Sequence, residues 1–446
     1  MVKHWFGAIS GLVASAGFAV AQFPEPTSWT SRLNPNAEVR PSTTPVYYQP
    51  LAPAQTPAPA PAPVPVPAPA ASVITATQET TEGSGGEQFW FEGEYLYWKV
   101  KSGHAPETIV FGTIPAGMVN VPNLPQSAIT GLPNDPSRYG TNAQSGLRLG
   151  VGYWLDSSRE WAFVGNWFQL APATRKIQDQ SDGSTVIGPV FDDPVSGRKT
   201  ILLFSIPGQR AAQLDAVNRD AMWGAEANLR RQVPAIFFAD RLDLLVGIRY
   251  LQFSDGLDLH GVSIVPPDVN APRLQTISYT DQFGVHNQFY GGQIGLASHS
   301  DIGPLTLDVT GKVALGGIHE MAHIVGSTTI FDATPPPTTT VTGGGVLTEP
   351  TNLGRFHHGD FAVIPEITAN LGWRITPWLE ATVGYNFLYI NNLYRAGSQI
   401  ETVDGRQVFS SAAFVPNSQA VNPQPPGESH SVFWVQGLNA GLSFSF

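Results

Sequence analysis

The sequence has no cysteine and few charged residues. Without cysteine, the 446-residue chain has neither disulfide bonds nor thiolate chemistry. Charged residues make up 13% of the chain, against about 25% in soluble globular proteins. Acidic residues outnumber basic ones by 35 to 24, and no basic run occurs, which argues against nucleic acid as a partner. After the first residues, no apolar run approaches the roughly 20 residues of a membrane-spanning helix.

Residues 1–21 have the features of a secretory signal peptide. Lys3 supplies a positive charge, and an apolar run extends from Trp5 to Phe18. Ala19-Val20-Ala21 then fits the small-residue cleavage rule, so that Gln22 would begin the mature protein. An uncleaved membrane anchor is the alternative, but the apolar run is short for one. We therefore predict an exported protein.

Residues 22–87 carry no hydrophobic periodicity and contain a proline–alanine tract from Pro53 to Ala70. Proline at alternate positions prevents helix and sheet pairing and favours extended polyproline II. About 20 such residues at about 3.1 Å each would span about 60 Å. The tract predicts a disordered periplasmic segment. It is either a stiff tether with a cell-wall polymer as its partner or a plain leader with no partner.

Strand patterns begin at residue 88 and continue to the last residue. Twelve candidate strands lie at 88–98, 145–155, 161–171, 218–231, 240–253, 257–265, 284–298, 303–316, 319–331, 360–375, 378–391 and 432–446. An even number returns both termini to the periplasmic side, and ten or fourteen strands are alternatives. Long and short joins alternate as in membrane barrels, except that the joins at 254–256 and 299–302 are both short.

Apolar and polar residues alternate within these strands. Leu305, Leu307 and Val309 share one face, whereas Thr306 and Asp308 share the other. A soluble β-sandwich has the same period. Repetition over segments of about 10 residues, with aromatic residues near the segment ends, favours lipid outside and water inside. We therefore predict an all-β fold: a closed antiparallel transmembrane β-barrel over residues 88–446, in the cell outer membrane.

The chain ends on an alternating strand with an aromatic last residue. Leu442, Phe444 and Phe446 form the apolar face of this C-terminal strand signal. The last strand of a barrel must pair with the first, because closure removes both sheet edges. We expect this strand to bind the barrel-assembly machinery, and outer-membrane lipid to surround the wall.

Charged residues on the polar faces are the candidate functional residues. The lumen-facing candidates are Arg148, Glu226, Arg230, Arg241, Asp243, Arg249, Asp308, Lys312, Glu366, Arg374 and Glu380. Six are basic and five are acidic, so they indicate no ion preference. Opposed charges across an aqueous lumen tune which solutes pass. Cross-strand ion pairs that stiffen a plugged barrel are the alternative.

Two further patterns have competing interpretations. His319-Glu320-Met321-Ala322-His323 matches the zinc-protease motif H-E-x-x-H, which requires a helix. Its neighbours alternate as a strand, on which positions four apart lie about 13 Å apart, too far for one ion.

Aromatic residues near strand ends predict interfacial girdles, with sugar-stacking platforms as the alternative. The girdle candidates are Tyr95, Tyr97, Trp98, Trp154, Trp161, Trp167, Trp223, Trp378 and Trp434.

Several blocks in order resemble the beta-barrel porin-7 family of outer-membrane porins. The blocks are 94–98 (EYLYW), 223–229 (WGAEANL), 245–250 (LVGIRY), 281–283 (DQF), 287–295 (NQFYGGQIG), 311–316 (GKVALG), 351–354 (TNLG), 365–366 (PE), 384–389 (GYNFLY) and 434–439 (WVQGLN). The resemblance covers roughly residues 88–446 and implies an outer-membrane barrel. It carries over no catalytic or ligand residue, and the proline–alanine leader departs from the family pattern.

These observations predict a porin-like channel for passive diffusion of small polar solutes. A non-conducting structural or adhesive barrel is the alternative, and a secreted zinc hydrolase using His319, Glu320 and His323 is the third hypothesis. We expect no enzyme activity, no cofactor and no bound metal.

Overall fold

The computed structural model describes residues 88–101, 111–114, 130–131, 143–193, 198–235, 239–265, 274–400, 403–404, 406–408, 415 and 430–446. The predicted signal peptide and the proline–alanine leader lie outside these residues. Apart from one 3-10 turn at Ala396–Gln399, the regular structure in the described part is β-strand. None of its helical segments is long and apolar enough to cross a membrane.

Sixteen strands are present in the described ranges. They are β1 (Phe89–Val100), β2 (Phe111–Ile114), β3 (Thr130–Gly131), β4 (Ala143–Trp154), β5 (Trp161–Leu170), β6 (Ala173–Ser181), β7 (Val186–Asp193), β8 (Arg198–Ile201), β9 (Ala211–Val233), β10 (Arg241–Val265), β11 (Gln275–Ile302), β12 (Leu305–Asp332), β13 (Thr338–Gly343), β14 (Gly354–Thr376), β15 (Leu379–Ile390) and β16 (Phe433–Ser445).

Ten strands form a closed antiparallel ring. The order is β1, β4, β5, β9, β10, β11, β12, β14, β15 and β16, and β16 pairs with β1. β6 and β13 extend the sheet to twelve strands by pairing with β9 and β12, while β2, β3, β7 and β8 form a separate small sheet. Closure gives each ring strand two hydrogen-bonded neighbours, as a sheet in lipid requires. The predicted all-β closed antiparallel barrel is confirmed.

Two of the predicted strand divisions are wrong. The segments 240–253 and 257–265 form one strand, β10, and the segments 303–316 and 319–331 form one strand, β12. Gly256 lies in the predicted join 254–256, and Gly317 lies between the segments 303–316 and 319–331. Gly256, Gly316 and Gly317 nevertheless pair in register with both neighbouring strands. A glycine weakens a strand without ending it when the pairing continues on both sides.

Short and long joins alternate once β10 and β12 are each counted as one strand. The short joins are 155–160, 234–240, 303–304 and 377–378. They lie at the end of the barrel where the first ring strand begins and the last ring strand finishes. At that end, the Phe89 amide donates a hydrogen bond to the Phe446 carbonyl oxygen at 3.1 Å. Membrane barrels place short turns in the periplasm and long loops outside the cell. We therefore call the short-turn end periplasmic and the opposite end extracellular.

The outward face of the ring carries a band of exposed apolar side chains. On β10, the outward Val246 and Ile248 are 51% and 67% exposed. The rings of Trp223, Tyr250 and Tyr290 lie 4.8 and 4.9 Å apart along the extracellular edge of this band. Such aromatic girdles mark the headgroup level.

Two of the predicted girdle residues face inward instead. Trp98 is fully buried and packs against Phe168 with ring centroids 5.5 Å apart. The Arg241 guanidinium lies 4.4 Å from the centre of the Trp154 ring. Both strands carry aromatic residues on both faces, so the two-residue period did not reveal which ring faced lipid.

The barrel interior contains a dry layer that the sequence analysis did not predict. We name it the apolar layer. It consists of Leu96, Trp98, Val100, Leu170, Met222, Leu251, Phe253, Phe289, Ala314, Ile318, Ala362, Ile364, Leu388, Ile390, Leu393, Phe433 and Val435, each at most 2% exposed. The expectation of a polar inward face along each strand is therefore wrong for this part of the barrel. A ring of this size is narrow enough for side chains to fill it.

A segment after β15 inserts into the barrel on the extracellular side of the apolar layer. Arg395 donates from Nε to Asp255 of β10 at 2.8 Å, and its guanidinium lies 5.0 Å from the Phe253 ring centre. The backbone of Tyr394 exchanges two hydrogen bonds with the Asn287 side chain, at 2.9 and 3.0 Å. The inserted segment thus covers the apolar layer from outside.

Candidate functional site

Six charged side chains meet inside the ring on the periplasmic side of the apolar layer. We name them the charged layer. They are Glu94, Arg148, Glu226, Arg249, Lys312 and Glu366. Strand register places them as three directly opposed pairs: Glu94 with Arg148, Glu226 with Arg249, and Lys312 with Glu366. Opposite charges at directly facing positions stabilise neighbouring strands.

The charged layer also connects strands that are not neighbours. Glu226 contacts Arg249 at 2.5 Å and Lys312 at 2.6 Å. Glu366 contacts Arg249 and lies 3.8 Å from an Arg148 nitrogen. Glu366 lies on β14, whereas Arg249 and Arg148 lie on β10 and β4, with two or three ring strands between each pair. These ion pairs therefore connect ring strands across the lumen.

Neutral amides complete the hydrogen bonding of the three buried carboxylates. Asn166 and Gln293 donate to Glu226 at 3.0 and 3.1 Å. Asn386 donates to Glu366 at 2.8 Å, and Asn439 donates to Glu94 at 2.7 Å. Buried ion pairs are tolerated when further hydrogen bonds satisfy their remaining lone pairs.

The other six predicted lumen residues lie nearer the periplasmic rim, in three groups. Asp243 is fully buried and is held by Arg230 at 2.5 Å and by Arg241 at 2.9 Å. Asp308 contacts His299 at 2.7 Å. The third group is Arg374, which contacts Asp301 and lies 3.9 Å from Glu380. Each of these charges therefore lies beside an opposite charge or an imidazole.

A polar cavity of about 320 Å³ lies between this rim and the charged layer. Glu92, Asp308, Thr310, Thr368 and Asn370 are among the residues that line it. The cavity has the polarity of an aqueous vestibule, and the charged layer forms its inner end.

Several important inward residues were absent from the sequence predictions. Glu92 and Glu94 occupy alternate positions of β1, as do Trp90, Leu96 and Trp98. Because aromatic and aliphatic side chains share this face, the two carboxylates were not recognised as inward residues. Their spacing of two residues nevertheless indicated that they lie on one face. The buried amides Asn228 and Gln293, whose side chains bond to each other at 2.5 Å, carried no charge signal at all.

The loop after β13 forms a cap at the extracellular end. Asp281 accepts hydrogen bonds from the backbone amides of Val346, Leu347 and Thr348 at 2.9 to 3.2 Å, and from the Thr348 hydroxyl at 2.6 Å. Burial, together with the charges of Asp281 and Asp404, raises the pKa of Glu349 to about 9. The cap therefore contains a carboxyl group that is neutral at physiological pH.

The H-E-x-x-H motif lies within β12, where a helix is absent. His319 and His323 lie on the outward face, and Glu320 faces inward and is fully buried. The three side chains therefore cannot bind one ion together, as the helical interpretation would require.

On β16, the outward Leu442 and Phe446 are 43% and 54% exposed, and Phe444 stacks on Trp378 at 6.3 Å. Their role in barrel assembly stays a prediction.

The closed ring, the apolar band and the aromatic girdle define an outer-membrane β-barrel. Residues 90–446 match the family model described as "Putative beta barrel porin-7", and the chain belongs to that family. The predicted family and the outer-membrane barrel class are thereby confirmed. No curated protein matches the chain.

Two solved structures illustrate the likeness in fold. The outer membrane protease OmpT from Escherichia coli is 11% identical, with 83% of this chain and 99% of that chain covered and a TM-score of 0.38. The P. putida toluene transporter TodX is 9% identical, with 81% and 90% covered and a TM-score of 0.18. At these scores, neither likeness carries an argument about activity or substrate.

The prediction that the chain is not an enzyme does not stand. It rested on assigning the chain to the membrane barrels, and a barrel described as a protease is among the structures that match. A membrane barrel can carry catalytic groups as well as a channel, because function resides in sites and not in the fold. The barrel class therefore gives no ground for excluding catalysis.

We expect the charged layer to stabilise the barrel as a unit. Glu366→Ala removes the carboxylate that Arg148, Arg249 and Lys312 share, and leaves these three cations buried with one counter-charge fewer. Removing one partner of a buried pair costs about 3–5 kcal/mol, so the free energy of unfolding should fall by about that much. Urea unfolding of the refolded barrel measures the change. Glu380→Ala, at a more exposed rim pair, should cost about 1 kcal/mol or less, and equal losses would contradict a special role for the layer.

We expect the extracellular cap to make stability fall with rising pH. Below pH 4.5, Glu349 is protonated in both the folded and the unfolded chain; between 4.5 and about 9, only the folded chain keeps the proton. The free energy of unfolding therefore decreases over that interval. Glu349→Gln should reduce the decrease and stabilise the protein at pH 8. The comparison is the denaturant midpoint at pH 6 and at pH 8 for both proteins, and an unchanged slope in the variant would refute the assignment.

Proposed function

We propose that this porin-family protein is a structural outer-membrane barrel with a lumen that is closed at rest. The apolar layer carries this proposal. Its members come from the ring strands and from the inserted segment, and each is at most 2% exposed. A layer with no aqueous path across it stops polar solutes and ions. The charged layer beneath it adds a second barrier, because its ion pairs join opposite parts of the wall.

The extracellular extension supports a surface-exposed structural or adhesive role. β11 continues from the girdle residue Tyr290 outward to Gln275, which is about 50 Å of strand at about 3.4 Å per residue. A second buried cluster fills this extension and includes Phe204, Tyr279, Phe283 and Leu347. The barrel therefore presents a rigid, packed body well beyond the lipid.

Passive diffusion of small polar solutes is the second candidate. Family membership favours it, and so does the polar cavity at the periplasmic end. For diffusion to occur, the inserted segment and the apolar layer would have to move aside. Arg395 and Asp255 would then separate, and the loss of that buried pair opposes opening.

The predicted export and anchoring elements complete the proposal. Residues 1–21 act as the signal peptide, and the proline–alanine tract within residues 22–87 acts as a tether to a cell-wall polymer. Phe89 begins β1 at the end of the barrel that we call periplasmic. The strand ending at Phe446 is the segment that the assembly machinery binds, and lipid surrounds the wall.

Conductance of the refolded full-length protein in a planar bilayer tests closure. We expect no discrete conductance steps for the wild type, although heating shifts its migration on a gel and so shows that the barrel has folded. Phe253→Ala with Phe433→Ala removes two rings that lie 4.6 Å apart in the apolar layer, and should introduce brief openings. The matched control is Phe361→Ala, a lipid-facing ring that is 56% exposed, and it should remain silent. Regular steps in the wild type would refute closure and support passive diffusion.

A further inference from the structure

Three potential metal ligands converge on the extracellular side of the apolar layer. One ligand atom from each of Glu320, His358 and His430 lies within 4.8 Å of the other two. We propose that these three side chains bind a zinc ion. The site lies outside the lipid band and is distinct from the charged layer.

The fold brings these residues together from three separate elements. Glu320 on β12 and His358 on β14 are directly opposed in the strand register and share the inward face. The Gly317–Phe361 pair of these strands lies at the level of the girdle residue Tyr290. Glu320 is three residues further along β12, so the site lies about 10 Å from the girdle toward the extracellular end. His430 belongs to the segment that enters β16. Residues 110 positions apart in the chain thus meet at one point.

Glu320 is the feature that indicates a cation. The side chain is fully buried, and its Oε2 atom accepts a hydrogen bond from His430 Nε2 at 3.0 Å. Its second oxygen, Oε1, is buried and has no hydrogen bond of standard geometry with the described residues, and the backbone of Tyr394 is close enough to the carboxylate to interact with it. An unpaired buried carboxylate oxygen is costly, and a bound cation would compensate for that cost.

The ligand types select zinc over calcium or magnesium. Two imidazole nitrogens and one carboxylate oxygen are a recurrent zinc set, whereas calcium and magnesium take oxygen ligands. Three protein ligands leave a fourth position for water or another small ligand.

The surroundings restrain both histidines. The Tyr394 ring stacks on His358 with centroids 5.9 Å apart and lies 5.0 Å from His430. Asp360 Oδ2 lies 3.9 Å from His430 Nε2 and accepts a hydrogen bond from Asn392 at 2.8 Å. Because His430 Nε2 is the same nitrogen that contacts Glu320, Asp360 adds negative charge beside the proposed site and does not orient the ring through its other nitrogen.

This site shares only Glu320 with the sequence motif. His319 and His323 lie on the outward face, and His319 stacks on the outward His357 at 5.6 Å. The helical zinc-protease arrangement is therefore not the one proposed. The outward pair, His319 and His357, provides matched controls, because each lies one position from a proposed ligand on the same two strands.

Calorimetric titration of the refolded, metal-free, full-length protein with Zn²⁺ alone tests the proposal. We expect one tight site per chain, and an upward shift of the unfolding temperature on zinc addition. His358→Ala, His430→Ala and Glu320→Gln should each weaken binding by more than about 100-fold, the upper range for loss of an outer partner. The double control His319→Ala with His357→Ala should keep wild-type affinity.

Heat-dependent gel migration establishes that each variant is folded. His430→Ala lies outside the strands, so it keeps the test informative if a strand substitution prevents folding. Wild-type protein that binds no zinc would overturn the proposal. Binding that survives in folded His430→Ala and Glu320→Gln, or that disappears in the outward control, would overturn it equally.

Discussion

Lipid supplies no hydrogen-bond partners to a protein backbone, and the rest of this structure depends on that constraint. A sheet that crosses the membrane must pair each strand on both sides, which the ring of ten strands achieves when β16 returns to β1. Closure then separates an outward face, which must be apolar, from an inward face, which is free to vary. Val246 and Ile248 are apolar side chains on the outward face. Arg249, between Ile248 and Tyr250, is a charged side chain on the inward face.

The inward face uses that freedom differently at successive levels. Arg249 belongs to the charged layer, whereas Leu251 and Phe253 on the same face of β10 belong to the apolar layer, and Asp255 holds the inserted Arg395. A polar cavity, an ionic barrier, a dry barrier and a packed extracellular body thus follow one another along the barrel axis. This order is the basis for the closed lumen that we propose, and the unusual length of β11 and β12 carries the wall beyond the aromatic girdle.

The sequence was sufficient for the outward half of the fold. Alternation such as Leu305, Leu307 and Val309 against Thr306 and Asp308 reflects lipid on one side, so most ring segments and their outward aliphatic residues were predictable. The interior was not, because Phe253 and Arg249 obey the same two-residue period and only the register shows what each one meets across the ring. The break predicted at 254–256 was wrong for a related reason: pairing with two neighbours maintains β10 through Gly256.

The candidate sites follow the same division. The predicted lumen charges all lie on the inward face, but their pairing across the lumen, as between Arg249 and Glu366, depends on which strands close the ring. The association of Glu320 with His358 and His430 depends on strand register and on a segment that enters β16 from outside, and neither is visible in the chain. Glu320 itself attracted attention through a motif whose helical geometry does not apply here.

The central claim is that water in the lumen ends at the apolar layer, and single-cysteine labelling tests it directly. The chain has no native cysteine, so each engineered thiol reports one position. Thr310→Cys lines the cavity, and Leu251→Cys lies in the apolar layer at 1% exposure. With a small, charged thiol reagent applied to the folded barrel, we expect rapid labelling at 310 and none at 251 until the protein is unfolded. Comparable labelling rates at the two positions would contradict a closed lumen.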